Sequence, residues 1–101
     1  MTDQPTLAVT EYTLNALPTE ARTADWWNWN VYARRNRAGR WIVTTGGEFY
    51  DTDGRPHGTA HEAGHHTRAD AIDLATRVAS TMTVMGETAT QAADRILSAA
   101  S

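Results

Sequence analysis

Arginine and tryptophan side chains concentrate in one short stretch of this chain, residues 26–45. The stretch contains all four tryptophans and four of the nine arginines, and it contains no acidic residue. Guanidinium groups bind phosphate oxygens through paired hydrogen bonds, and aromatic rings stack on nucleobases. The net charge of the whole chain is -3, so this basic and aromatic segment stands out from an acidic background. The pattern predicts a binding surface.

The predicted contacts with nucleic acid are five side chains within this stretch. The arginines are expected to contact phosphates, and the tyrosine is expected to be the aromatic contact. The alternative is that the arginines only solvate the exposed tip of a hairpin. The predicted contact residues are Arg34, Arg35, Arg37, Arg40 and Tyr32.

A second chemical pattern is the pentapeptide His61-Glu62-Ala63-Gly64-His65. Two histidines one helical turn apart can bind zinc while the glutamate activates water, and in these five residues the chain resembles the zincin peptidases. The geometry needs a helix, and the glycines at 58 and 64 disfavour one. A non-catalytic metal site formed by His57, His61, His65 and His66 is a further alternative. The sequence favours a surface histidine loop, and it predicts no catalytic residue, no metal and no cofactor.

The arginines require a β-hairpin to position them. Two alternating runs on either side of a loop containing Gly39 are typical of such a hairpin over residues 26–45. A third strand is predicted at 48–50, a turn at 51–56, and a candidate first strand at 6–14, whereas residues 1–5 are expected to fray. The alternation predicts that one face lies inside, formed by Trp27, Trp29, Val31, Trp41 and Val43.

Two helices are predicted to follow. Thr67 and Asp70 resemble a capping box that begins a main helix over 67–85, and Gly86 is predicted to end it. The apolar stripe expected to pack on the hairpin is Ile72, Ala75, Val78 and Ala79. A second amphipathic helix is predicted over 87–100, covering a sheet edge or a partner subunit.

These elements predict a single small α+β domain over residues 1–101. The predicted architecture is a three- or four-stranded antiparallel sheet packed on one long helix, with a second C-terminal amphipathic helix. Residues 57–66 fit a strand, a loop or the first turns of a helix. One sheet face and one helix form a small core at this length, so a homodimer through the C-terminal helix is predicted.

The order of elements resembles the small domains at the N-terminus of tyrosine recombinases that bind arm-type DNA sites. The similarity covers about residues 27–82 and is carried by Trp29, by Gly39-Arg40, and by the helix start Thr67-Arg68-Ala69-Asp70-Ala71. The layout is also similar to that of HicB-type antitoxins and double-stranded-RNA-binding domains. The resemblance implies a three-stranded sheet with one helix, and a role in binding nucleic acid or in regulation.

Cysteine content and hydropathy limit the classes of protein to which this chain could belong. The chain has no cysteine and no apolar run long enough for a transmembrane helix, so a cytoplasmic protein without membrane contact is expected. The leading prediction is a non-enzymatic nucleic-acid-binding module, a small regulator or accessory protein of a phage or mobile element. The alternative is a protein-binding regulator, such as an antitoxin or a phage- or plasmid-encoded inhibitor, whose acidic surface meets a basic partner. The third option is a zinc-dependent hydrolase that uses His61, Glu62 and His65.

Overall fold

A five-stranded antiparallel sheet forms the centre of the protein. The computed structural model describes residues 10–22 and 26–100. Each strand pairs with its neighbour in chain order, so the described sheet is a meander. It confirms the α+β class, with one strand more than predicted. The strands are β1 (Glu11–Asn15), β2 (Asn30–Arg35), β3 (Trp41–Thr44), β4 (Phe49–Tyr50) and β5 (Pro56–His57).

Three α-helices, two short 3-10 helices (Thr19–Ala21 and Trp26–Trp29) and a small second hairpin complete the described fold. The α-helices are α1 (Ala60–Ala63), α2 (Arg68–Thr81) and α3 (Ala89–Ala100). The hairpin strands β6 (Thr83–Val84) and β7 (Glu87–Thr88) lie between α2 and α3. Within the described ranges, no helix has the length and apolar character needed to cross a membrane.

The predicted start of the main helix is confirmed by its capping geometry. The Thr67 hydroxyl accepts a hydrogen bond from the backbone N–H of Asp70 at 3.2 Å, which satisfies one of the unpaired donors of the first turn. His66 forms an isolated bridge with Trp41 in β3 immediately before this cap. The cap and the bridge together anchor the beginning of α2 beside the beginning of β3.

The main core lies between α2 and the inner face of the sheet. Alternation along the hairpin places β-strand side chains inward, as predicted. Of the predicted helix stripe, Ala75 and Val78 are buried and Ala79 packs against the core, but the buried face turns toward Ala71 and Leu74 rather than Ile72. Ala71 and Leu74 are fully buried, whereas Ile72 is only half-buried. The buried cluster consists of Val31, Ala33, Trp41, Val43, Ala71, Leu74, Ala75 and Val78.

The predicted burial of Trp27 is wrong, and that of Trp29 is correct for a different reason. Residues Trp26–Trp29 form a 3-10 helix before β2, so the two-residue alternation of a strand does not apply to them. Trp27 is 59% exposed, whereas Trp29 is 6% exposed. Trp29 packs in a second cluster with Leu17 and Ala92 rather than on the stripe of α2.

The predicted extension of the main helix to Met85 is also wrong. α2 ends at Thr81, and Met82 already has an extended backbone. Met85 and Gly86 both have positive φ values, 51° and 84°, and they connect β6 to β7 as a two-residue type I′ turn. Gly86 therefore serves a hairpin rather than a helix end. The predicted C-terminal helix over 87–100 begins two residues later, at Ala89.

The first strand and the segment 57–66 match the predictions in part. The candidate strand 6–14 is a strand only at its C-terminal part, in β1, while residues 6–9 and the predicted frayed segment 1–5 lie outside the described residues. The predicted third strand corresponds to β4. Segment 57–66 combines the end of β5, the four-residue helix α1 and the bridging residue His66.

Candidate nucleic-acid interface

The turn between β2 and β3 holds the predicted basic residues on a hydrogen-bonded frame. The backbone N–H of Asn36 donates to the carbonyl oxygen of Arg40 at 2.8 Å, closing the loop. The side-chain oxygen of Asn36 accepts from the N–H groups of Ala38 and Arg40, at 2.9 and 3.0 Å. An Asn side chain that bonds to backbone two or more residues ahead fixes the shape of a turn. Arg37 and Arg40 therefore project, exposed, from a defined loop.

Arg35 lies across the glycine of the same turn. Gly39 has a φ of +80°, a left-handed conformation that glycine adopts without strain. A Cβ atom built on Gly39 would lie 3.2 Å from the Nη2 atom of Arg35, so the guanidinium group packs against the bare backbone. Glycine at this position permits both the turn and the placement of the arginine.

Arg68 is a basic residue of this region that the sequence prediction missed. Its guanidinium carbon lies 5.3 Å from the ring centroid of Tyr12, and its Nη2 atom donates a hydrogen bond to the Tyr12 hydroxyl. Tyr12 in turn packs on Trp41, with ring centroids 5.7 Å apart. The sequence motif at the helix start had included Arg68 as part of a resemblance, but its closeness to the hairpin depends on long-range packing.

We call Arg35, Arg37, Arg40 and Arg68 the basic end, because the β2–β3 turn and the start of α2 meet there. In residues 10–22 and 26–100, no carboxylate lies within ion-pair distance of any of these four guanidinium groups. The three ion pairs found in that part of the chain involve Arg34, His57 and Arg95 instead. Arginines that lack an acidic neighbour keep their donors available for a ligand.

Arg34 occupies a different position, on the face of the sheet opposite to α2. We call this side the outer face, and strand register places Glu11, Thr13, Tyr32, Arg34 and Ile42 on it. The Nε atom of Arg34 donates to Glu11 Oε1 at 2.5 Å. The guanidinium carbon lies 4.3 Å from the ring centroid of Tyr32. Glu11 therefore holds the guanidinium group over the tyrosine ring, and Arg34 lies on the opposite face of the sheet from its neighbour Arg35.

Two asparagine side chains, Asn15 and Asn30, form a chain of hydrogen bonds that ends at the Tyr32 hydroxyl. Asn30 donates from its Nδ2 atom to the Tyr32 hydroxyl at 3.1 Å. Asn15 donates to the side-chain oxygen of Asn30 at 2.9 Å and to the carbonyl oxygen of Trp26 at 2.8 Å. Tyr32 is half-buried and its hydroxyl has a partner, so the ring has a defined orientation. The Tyr32–Arg34 pair is thus a preorganised stack on an otherwise polar surface.

The histidine pattern does not form the arrangement that a zinc peptidase requires. α1 is a single turn, and Gly64 ends it with a φ of +84°, so His61 and His65 do not share a helical face. His66 instead hydrogen-bonds the carbonyl oxygen of Tyr50 at 3.1 Å. Across the described ranges, no group of three or more potential metal-ligating side chains is found.

His57 is paired with an acidic residue of the β4–β5 turn. Its Nε2 atom lies 2.7 Å from Asp51 Oδ2. The hydrogen bond from His57 and those from the backbone N–H groups of Arg55 and Asp53 lower the pKa of Asp51 below its ordinary value. The same carboxylate organises the Asp51–Arg55 turn, so this pair has a structural explanation.

Two concavities, of about 420 and about 430 Å³, lie away from the basic end. One of about 420 Å³ lies between the β3–β4 loop and the end of α2, and its polar lining includes Glu48, Tyr50 and Thr81. None of the predicted site residues lines it. Its lining therefore gives no support to the predicted contacts.

Comparison of the chain with protein-family profiles, with curated proteins and with solved structures found no match. The resemblance to arm-type DNA-binding domains and to HicB-type antitoxins therefore stays a prediction. Proposals about function rest on the geometry of the interface.

Proposed function

We propose that the protein is a non-enzymatic nucleic-acid-binding module, a small regulator or accessory protein that binds single strands across its basic end and outer face. The observation that carries this proposal is a set of four arginines, on the β2–β3 turn and the adjoining start of α2, that have no carboxylate partner among the described residues, together with the oriented Tyr32–Arg34 stack on the outer face. Charge and a stacking plane are the two components that single-strand-binding surfaces combine.

Phosphate contacts are assigned to the basic end. Arg37 and Arg40 extend from the hydrogen-bonded turn, and Arg35 and Arg68 lie beside it. Their position on separate elements allows successive phosphates of one strand to be contacted. Each contact releases condensed counterions, which makes affinity dependent on salt.

Base contact is assigned to the Tyr32–Arg34 stack. Because Glu11 already compensates the charge of Arg34, this arginine is better suited to stacking than to phosphate binding. Unpaired bases stack on guanidinium planes as well as on aromatic rings. The half-exposed guanidinium of Arg34 offers such a plane above Tyr32. Bases inside a duplex are already stacked and cannot use it, which favours a single strand.

The acidic character of the rest of the chain restricts binding to this region. The net charge of -3 repels a polyanion at other surfaces, so affinity at physiological salt is expected to be modest and local. At the basic end the local charge is positive, so a polyanion is attracted there.

Fluorescence anisotropy with labelled single-stranded DNA, single-stranded RNA and a duplex of the same sequence tests the proposal at low salt. We expect single strands to bind more tightly than the duplex. Changing Arg35, Arg37 and Arg40 together to Ala should weaken binding and lower the log–log salt slope by about 2, since each lost contact with a single strand removes about 0.7. The matched control changes Arg22, Arg55 and Arg77 to Ala, which removes the same charge from exposed positions elsewhere.

A second variant separates stacking from charge. Arg34→Lys keeps the positive charge and a partner for Glu11 but removes the planar group, so affinity should fall about fivefold or more with the salt slope unchanged. Absence of binding to any of the three probes at low salt contradicts the proposal. If the control triple variant loses as much affinity as the variant of Arg35, Arg37 and Arg40, the assignment of the phosphate contacts to the basic end is contradicted.

A protein-binding regulator remains the second candidate, and exposed tryptophan favours it. Trp27 is 59% exposed and Trp26 40% exposed, and large aromatic side chains of this kind are enriched in protein interfaces. Failure of the nucleic-acid assays would make this candidate the leading proposal.

A further inference from the structure

A projecting apolar side chain and a notch with both apolar and polar walls lie side by side at the β6–β7 hairpin. Met85, at the tip, is 99% exposed. The notch has a volume of about 200 Å³, far more than the about 30 Å³ that one water occupies in the liquid, so it can accept a side chain. Met85 lines one side of this notch, and its other apolar walls are Leu17, Trp29, Val84 and Ile96.

Met85 is an unfavourable residue for its position in a free hairpin. The first residue of a type I′ turn has a positive φ, here 51°, which asparagine and glycine adopt most easily. Solvent exposure also favours a polar side chain at the tip. A large apolar residue at such a site is explained if its side chain is buried in an assembly.

The apolar surface continues from the hairpin along α3. Ala92 and Ala93 are buried against the body of the protein, Ile96 is half-buried, and Leu97 is 41% exposed. The apolar stripe of the helix therefore extends beyond the part that the described chain covers. Leu97 and Ile96 lie on the same end of α3, and Ile96 also lines the notch.

We infer that the chain forms a twofold-symmetric homodimer in which Met85 of each copy occupies the notch of the other. A twofold interface must be self-complementary, and an apolar projection adjacent to a recess that has apolar walls meets this condition. Methionine adapts its shape to irregular recesses. The inference concerns a surface that the proposed nucleic-acid site does not use.

The charges at the notch favour a second copy over a strongly basic or acidic partner. Glu87 and Arg95 both line the notch and are paired, with Arg95 Nη2 2.9 Å from Glu87 Oε1. The pair is neutral as a whole, so it offers no net attraction to a strongly basic or acidic partner. A second copy presents the same neutral pair and meets no net charge repulsion at the notch.

Sedimentation velocity of the full chain over a wide micromolar concentration range tests the inference. We expect a reversible monomer–dimer equilibrium in the native protein. Met85→Asn should abolish the dimer while leaving the thermal midpoint of dilute protein unchanged or raised, because asparagine favours the turn. Met85→Leu, which keeps the apolar projection, is the matched control and should retain the dimer. Leu97→Glu, at an exposed position, should also abolish it without loss of fold.

Several outcomes overturn the inference. The first is a native protein that is monomeric at every concentration, and the second is a dimer that persists unchanged in Met85→Asn. The third is association beyond the dimer, because a twofold contact closes at two copies. Loss of the dimer in Met85→Asn together with its retention in Met85→Leu supports the inference.

Discussion

At the scale of single residues, neighbouring tryptophans have opposite environments. Trp29 lies between Leu17 and Ala92 and links the segment before β2 to α3. Trp27, two residues earlier, faces solvent because both belong to a 3-10 helix, in which residues two apart point in different directions. The two side chains have the same chemistry, so they form a natural matched pair.

We expect Trp29→Ala to lower the free energy of unfolding by about 3–5 kcal/mol, because it removes a large buried side chain and leaves a cavity. Trp27→Ala should change the free energy of unfolding by less than about 0.5 kcal/mol, as for most surface substitutions. Urea denaturation followed by circular dichroism measures both. Similar losses in the two variants would show that the second cluster is not organised around Trp29.

At the scale of elements, the turn between β4 and β5 depends on a charged hydrogen-bond acceptor. Asp51 accepts from His57, and also from the N–H groups of Asp53 and Arg55 at 2.9 Å each. All three interactions favour the ionised carboxylate in the folded protein, which is why the pKa of Asp51 is lowered. The turn fixes the pairing of the two short strands that end the sheet.

This arrangement predicts a pH dependence of stability. A carboxyl group whose pKa is lower in the folded state contributes stability above its unfolded pKa, about 3.9, and that contribution is lost as the pH falls through the folded pKa. Thermal midpoints measured from about pH 6 down to about pH 2 should therefore fall less steeply for Asp51→Asn than for the native protein. Asp53→Asn keeps its backbone N–H and should retain the native profile. Parallel profiles for Asp51→Asn and the native protein would contradict the assignment.

At the scale of the whole molecule, the basic end and the notch lie at opposite ends of β2. Arg35 ends the strand at the basic end, while Trp29, which lines the notch, precedes its first residue. Six strand residues span roughly 20 Å. Dimerisation through the notch would therefore leave both basic ends free.

Two linked binding sites raise affinity for a ligand that reaches both. If both proposals hold, Met85→Asn should bind a short oligonucleotide as tightly as the native protein, but bind a strand long enough to span both basic ends at least about tenfold more weakly. Anisotropy titrations with oligonucleotides of increasing length measure this. A length-independent effect of the substitution would show that the dimer does not align the two sites.

The sequence by itself determined the features that depend on neighbouring residues. Alternation in residues 31–33 and 41–43 indicated the inner face of the hairpin, and Thr67 with Asp70 indicated where α2 begins, because strand facing and helix capping are set within a few residues. The sequence also placed Arg34, Arg35, Arg37 and Arg40 on one hairpin, because they are close neighbours along the chain.

Only the tertiary structure decided which of these residues lie in contact. Arg34 is paired with Glu11, 23 positions away, and Arg68 reaches the hairpin through Tyr12, 56 positions away. α2 ends at Thr81 because the β6–β7 hairpin follows it, and Trp27 is exposed because it lies in a 3-10 helix instead of a strand. Contacts between distant segments are set by strand register and helix packing, which local sequence patterns do not encode.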